Sequence, residues 1–552
     1  MSESGILSRP VHVGYLLLIF LIIDFPFQYG FRYLSLPESV SYTLIDAALY
    51  TTLLVITTRL DLARITLCFL ALPYLIFIPG WLNLPTAITL MAIFIFCMMR
   101  ALQNTTVLAH KVITGRDLLV FILVLLWVNL SGIGGYGFQW SDYQINNARL
   151  HDLVVNAWPI RYGQNQNLVY YFGYFLPSAI IGKLFTVDVA MRSVYVWAVL
   201  GVTLALRWLS YLSKWRYSIS LVIIFVLFGP LDILNLLYIK KDLAEFLSVF
   251  HNDDMDTLTF TTSQQLKFYS ISEQKLFFLG NYPGNSFQLY WSPQQLIAGW
   301  LCSALMMHLF LKNQLRHIVF VYALLFLWGA LVMMALLPLV IVIAATQFFN
   351  KSLSSKERWR DLLSLENTLG AGSLACVFAI FYLGGSTAAN PAYWLVDVVN
   401  WRTQWDLIII FYLAAWGLYA LALLPFILTC EPNARIWFGG LVCALAILPL
   451  RIFGEWSDLL CRGSAPLMFL LLVFLLKAID YYWHNNKKIR SAILLCALIP
   501  GTASALLINS ISLSYYGETE PVKPLLSYTS IYPNFGLDDS LFNQLFRRGL
   551  PK

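Results

Sequence analysis

Charge is scarce in this sequence. Only 12% of its 552 residues are Asp, Glu, Lys or Arg, about half the share that a soluble domain carries. With 59% hydrophobic residues, the chain has too few polar groups to cover one large water-soluble globule. Paired cysteines are also lacking. Six of the 8 Cys lie inside apolar runs (Cys68, Cys97, Cys302, Cys376, Cys443 and Cys496), and none forms a CxxC pair. That argues against both a thiolate metal site and a disulfide framework. There is no GxxxxGK[ST] loop to cradle a nucleotide and no fixed-period repeat. The start, MSESGILSRPVHVGYLLLIF, lacks a small-residue cleavage site and reads as a retained first span rather than a signal peptide.

What is abundant is apolar length. Mean hydropathy is +0.70, and runs almost free of charge recur from end to end. Each is long enough for a hydrocarbon core about 30 Å thick. Spans are expected near 12–30, 41–58, 62–80, 84–101, 117–134, 190–212, 217–238, 293–312, 316–329, 331–348, 367–385, 406–429, 436–452, 464–482 and 490–510. The expected fold class is therefore an all-α polytopic membrane protein with about fifteen transmembrane helices. The pair at 316–348 reads either as one long tilted helix or as two short ones. Aromatic residues, 16% of the chain, suit interfacial belts.

The net charge of +7 is not a nucleic-acid footprint, because Lys and Arg sit in short segments between apolar runs. Those segments orient the chain. Arg59, Arg64, Arg100, Lys111 and Arg116 belong on the cytoplasmic side by the positive-inside rule. The stretch YYFGYFLPSAIIGKLF (170–185) decides the rest. Counted as a span, it moves every later basic cluster outside. Left out, it keeps Arg207/Lys214/Arg216, Lys312/Arg316, Lys351 to Arg360 and Lys487/Lys488/Arg490 inside. The expectation is thus a surface or re-entrant segment at 170–185, an inside N-terminus and an outside C-terminus. Outer loops then cover 135–189, 239–292, 386–405 and 453–463. The organisation reads as N-terminal helices (1–116), a core carrying two large outer loops (117–350), C-terminal helices (351–510) and an outer-face tail (511–552).

The first large outer loop carries the most information. Gly132, Gly134, Gly135 and Gly137 end the fifth span. Leu150, Leu153, Val154, Ala157 and Trp158 then fall on one helical stripe, which Pro159 ends or bends. Run back to Asp142, this helix stacks Asp142, Arg149 and Asn156 along one side, with Asp152 nearby. A fixed carboxylate beside an Arg at headgroup depth suits a general base. The alternative is that Asp142 caps the helix behind Ser141.

An outer-face Asp after a span, an amphipathic helix, and then Tyr170, Tyr171, Pro177, Gly182, Lys183 and Leu184 together resemble the GT-C superfamily of membrane glycosyltransferases. The resemblance covers roughly 117–240. Asp142 is followed by Tyr143, where many relatives carry a second acid, and four spans precede the motif instead of one. The resemblance implies a GT-C-like core with amphipathic outer-face helices and a polyprenyl-phosphate-linked sugar as donor. It also implies a glycan, lipid or protein acceptor, Asp142 as the base, and a setting in a bacterial inner (plasma) membrane.

Further candidates each have a plainer reading. Lys183 belongs to the motif itself. Lys240 and Lys241, cations on the outer side, suit a donor phosphate or simple snorkelling. Arg451 and Arg462, with Glu455 and Asp458, make an outer charge cluster that suits a phosphate or sugar, or only mutual surface pairing. His151, beside Asp152, is a proton or phosphate partner or a surface His. HNDDMD (251–256) offers oxygen ligands for a divalent cation or is a solvated acidic turn. In YWSPQQL (290–296), Pro293 opens a span, while Tyr290 and Trp291 belong to the aromatic belt or stack on a sugar. No other cofactor is indicated.

Two rival functions remain. A lipid-linked glycan polymerase or ligase would favour an outer loop rich in Arg and His. A transporter or flippase of a lipid-linked glycan would place ionisable groups in spans and break helices in matching pairs. Asp24, Asp232 and Asp480 are the acids read near span interiors or ends, and a noncatalytic membrane scaffold is the remaining alternative.

Overall fold

A computed structural model describes residues 9–26, 28, 36–107, 112–162, 166–231, 234, 267–270, 275–278, 282–349, 355–385, 392–398, 405–453, 457–528, 535–537 and 540–547. Its first helices are α1 (Val13–Pro26), α2 (Leu36–Arg59), α3 (Leu62–Trp81), α4 (Leu84–Asn104), α5 (Gly115–Leu130), α6 (Asp142–Val155), α7 (Leu176–Leu184), α8 (Val187–Ser213) and α9 (Ile219–Leu227). Then follow α10 (Asn285–Trp291), α11 (Pro293–Leu311), α12 (Ile318–Ala323), α13 (Ala330–Phe349) and α14 (Ser355–Leu362). The chain continues through α15 (Glu366–Leu383), α16 (Leu395–Val398), α17 (Trp405–Ile427), α18 (Pro432–Leu450), α19 (Asp458–His484), α20 (Lys488–Ser514) and α21 (Leu541–Leu545).

Eleven helices among the described residues are long and apolar enough to cross a membrane. The protein is an all-α, multi-pass integral membrane protein. Helices α11 and α19 form its centre, with 94% and 89% of their apolar stretches enclosed by protein, against 33% for α4 and α13 at the periphery.

Four expected spans take a different form, the first being 12–30, whose described helix has 14 residues. The stretch 117–134 yields a helix of 16 residues, 217–238 one of 9 and 316–329 one of 6. The pair at 316–348 resolves into two helices, six-residue α12 and twenty-residue α13, with residues 324–328 unwound between them. Unwound backbone at membrane depth must find internal partners, and here it does. The Tyr74 hydroxyl donates to Leu324 O (2.9 Å) and accepts from the Leu327 amide (3.1 Å). The Gly173 amide donates to Leu327 O (2.9 Å), the Trp328 indole donates to Leu70 O (3.0 Å), and Tyr382 donates to Phe326 O.

Side-chain pairs sort the helix ends onto two faces. Arg207 meets Asp117 (3.2 Å) and Thr58 (2.6 Å), gathering the ends of α2, α5 and α8. Arg100 pairs with Glu366, which lies 3.8 Å from His317, gathering α4, the turn before α12 and α15 at the same end. Asn433 bonds Asn313 (3.1 Å) there too. The opposite face carries α6 and α7. The stretch 170–185 holds only α7, nine residues or about 14 Å, too short to cross. Gly182 lets α7 lie against its neighbours, since a Cβ there would meet Val154 of α6 at 2.5 Å and Ala190 of α8 at 2.7 Å.

The polar segment after α20 crosses this second face. Its residues 535–537 extend a small sheet with 161–162 and 166–168, in the order 161–162, 166–168, 535–537. Gln139 accepts from the Glu520 amide (2.9 Å), and Asn83 donates to Leu545 O (2.9 Å).

Buried acids in candidate spans beyond those read from the sequence include Asp46 and Glu366. Asp46 in α2 is buried with Asp24 of α1, and the Gln28 amide donates to both, at 2.9 and 3.2 Å.

Candidate functional site

The glycine turn after α5 builds the site. Gly132 and Gly134 adopt φ of 82° and 79°, a region that costs other residues strain. A Cβ at Gly134 would also lie 2.8 Å from the Tyr195 side chain. The turn reverses the chain so that α6 begins at Asp142 over the bundle.

Asp142 is the first helical residue rather than a cap, and Ser141 makes no side-chain capping bond. Its ion-pair partner is Arg462, whose Nη2 lies 3.7 Å from Oδ2. The same guanidinium reaches Asp458 through Nε at 3.2 Å and donates through Nη1 to the Tyr171 hydroxyl at 3.4 Å. Tyr171 also accepts from Gln295 (2.7 Å) and packs on Tyr170, with ring centroids 3.9 Å apart. Arg149 closes the group, its guanidinium 3.7 Å over the Tyr170 ring and donating to Asn146 at 2.7 Å. The side chains of Asp142, Asp458 and Arg462 remain 36%, 28% and 26% exposed, so the cluster opens outward. Below it, the Gln295 amide oxygen is buried and has no protein partner among the described residues. Gly329, at the top of the unwound turn, packs on the same side chain.

The protein crowding Asp142 raises its carboxyl above the ordinary value. Arg462 and then Arg149 pull it back, and Asp458 pushes it up again. Burial pushes the Tyr171 hydroxyl up, so it stays a neutral donor and acceptor.

The other predicted residues take different places. Asp152 is buried and accepts from Tyr162 (2.7 Å) and the Leu525 amide (3.1 Å), with His151 Nδ1 at 2.8 Å. It ties α6 to the 161–168 hairpin and the tail. Lys183 donates to Val154 O (3.1 Å) and to Asn156 O, and lies 4.9 Å over the Trp158 ring. A cation at these last carbonyls of α6 suits the helix dipole, and desolvation lowers its ammonium below the usual value. Arg451 stacks 4.7 Å over Trp394, its partner in the pairing of 392–394 with 451–453. Ala157 and Trp158 lie beyond the end of α6.

Lys240, Lys241, Glu455, Asp232 and the HNDDMD acids lie outside the described residues. Among the described residues, no group of three or more His, Cys, Asp or Glu is placed to hold a metal ion.

Sequence reasoning missed Gln295 as a site residue, although its QQ pair at the start of a span was the available signal. No family model, curated protein or solved structure matches the chain.

Proposed function

We propose that this protein is a membrane glycosyltransferase of the GT-C type, moving a sugar from a polyprenyl-phosphate donor to a hydroxyl of a glycan, lipid or protein on the outer face. The observation that carries the reading is the meeting of Asp142 with Arg462 at one end of the bundle. It sets a raised carboxylate beside a phosphate-competent guanidinium that also donates to the neutral Tyr171 hydroxyl. The basic helix ends gather at the opposite end, which by the positive-inside rule is the cytoplasmic one. A bacterial inner membrane fits this orientation.

In the reaction, the Asp142 carboxylate takes the proton of the acceptor hydroxyl. The acceptor oxygen bonds to the anomeric carbon as the bond from that carbon to the phosphate oxygen breaks. Polyprenyl phosphate leaves with the electron pair, and Arg462 offsets its charge. Arg149 holds the Tyr170 ring, and the unpartnered Gln295 oxygen is an acceptor for a sugar hydroxyl.

Purified protein incubated with a panel of polyprenyl-phosphate sugars should transfer or hydrolyse at least one of them, and Asp142→Asn should not. Turnover unchanged in that variant would remove Asp142 from the chemistry. The buried Asp24–Gln28–Asp46 bridge favours one rival, export of a lipid-linked glycan. That rival predicts movement of a labelled lipid across proteoliposomes with its sugar still attached.

A further inference from the structure

We propose that Arg462 is a latch on Asp142, opened by the phosphate of the incoming donor. The inference rests on the transferase reading of this site and specifies how the site is regulated.

One guanidinium serves three groups, each through a different nitrogen. Nε holds Asp458 at 3.2 Å, Nη1 donates to Tyr171 at 3.4 Å, and Nη2 faces Asp142 at 3.7 Å. The three contacts are unequal. The Asp458 contact is the shortest and joins residues one turn apart on α19, so it anchors the side chain. The Asp142 contact is the longest and crosses from α19 to α6, so it yields first. The Nη1/Nη2 edge is also the edge that binds a phosphate bidentately, and the side chain is partly open to the outer face.

A phosphate on that edge takes Nη2 from Asp142 while Nε keeps Arg462 on Asp458. Asp142 then loses its nearest cation and gains a nearby anion, and both changes raise its proton affinity. The remaining charged neighbours are fixed, with Arg149 held against Tyr170 on α6 and Asp458 on α19. The base is therefore tied down in the empty site and strengthened only when a donor is seated. Such a site works in order, donor before acceptor, and protects the carboxylate from idle proton exchange.

The test reads the protonation of Asp142 through carbodiimide, which modifies protonated carboxyls. Modification is mapped by mass spectrometry in the intact purified protein across pH, with and without a short-chain polyprenyl monophosphate. Binding of that lipid is measured separately by tryptophan fluorescence. Saturating lipid should move the midpoint of Asp142 modification upward by about one pH unit or more. In Arg462→Gln the midpoint should start higher and rise less at saturation. Asp458→Asn, which keeps the guanidinium, should start lower than wild type because a repelling charge has gone, and should still rise with lipid.

Lipid that binds without moving the midpoint, or an equal rise in wild type and Arg462→Gln, overturns the latch and leaves the transferase reading standing. Absence of lipid binding removes both.

Discussion

Asp142 and Asp152 sit on one short helix and have opposite surroundings, so removing each carboxylate should have opposite signatures. Asp142 accepts no hydrogen bond among the described residues and faces Arg462 across 3.7 Å. Asp142→Asn should lower turnover by about 10²–10⁴-fold, the usual contribution of a general base, with the melting temperature in detergent held or raised. Asp152 accepts from Tyr162 and the Leu525 amide. Asp152→Leu leaves the Leu525 amide buried and unmet, at about 1–3 kcal/mol, also removes the Tyr162 bond, and should lower the melting temperature clearly. The pH profile follows from the raised Asp142 carboxyl. A base works ionised, so turnover should fall as pH drops through that raised value. The acid limb should lie above the ordinary carboxylate range near pH 4 and vanish in Asp142→Asn.

Among the elements, α7 is one whose position depends on a single atom. Gly182→Val puts bulk where a Cβ alone already meets Val154 and Ala190. Overpacking of this kind costs about 1–3 kcal/mol, and the displaced α6 carries Asp142. Thermal unfolding and turnover should both suffer, whereas Gly439→Val, at a position with nothing within 4 Å, should change neither.

The elements also show what a sequence conveys. Long spans such as 62–80 and 464–482 were legible because twenty apolar residues admit few other fates. The stretch 316–329 misled because apolarity reports burial, not helicity, and Tyr74, Gly173 and Tyr382 together satisfy an unwound turn that looks identical in composition. Asp142 was legible as an acid following a glycine turn. Its partnership with Arg462 was not, since nothing local ties α6 to α19. The burial of Asp152 was equally invisible, because its partners come from a hairpin and from the tail.

At the scale of the whole molecule, the sorting of helix ends is the claim most open to direct test. In a background with the native cysteines replaced by Ser, Glu518→Cys should react with a membrane-impermeant maleimide added to intact cells. Lys214→Cys should react only after lysis. The reverse pattern would invert the molecule and move Asp142 to the cytoplasm. Eleven candidate spans also make the site a product of distant parts, with α6, the 170–171 segment, α11 and α19 each contributing a side chain.

The tail has a consequence in time. Helix α6 is made long before the tail, yet Asp152 waits for Leu525, 373 residues later, and the 166–168 strand waits for 535–537. Glu520 and Leu545 close on Gln139 and Asn83 in the same late stage. The ribosome therefore delivers these fasteners only after all eleven candidate spans have been made. Until then the insertion machinery holds a bundle whose business end is still unbuttoned, and a nascent chain stalled before residue 518 would carry all eleven candidate spans but no finished site.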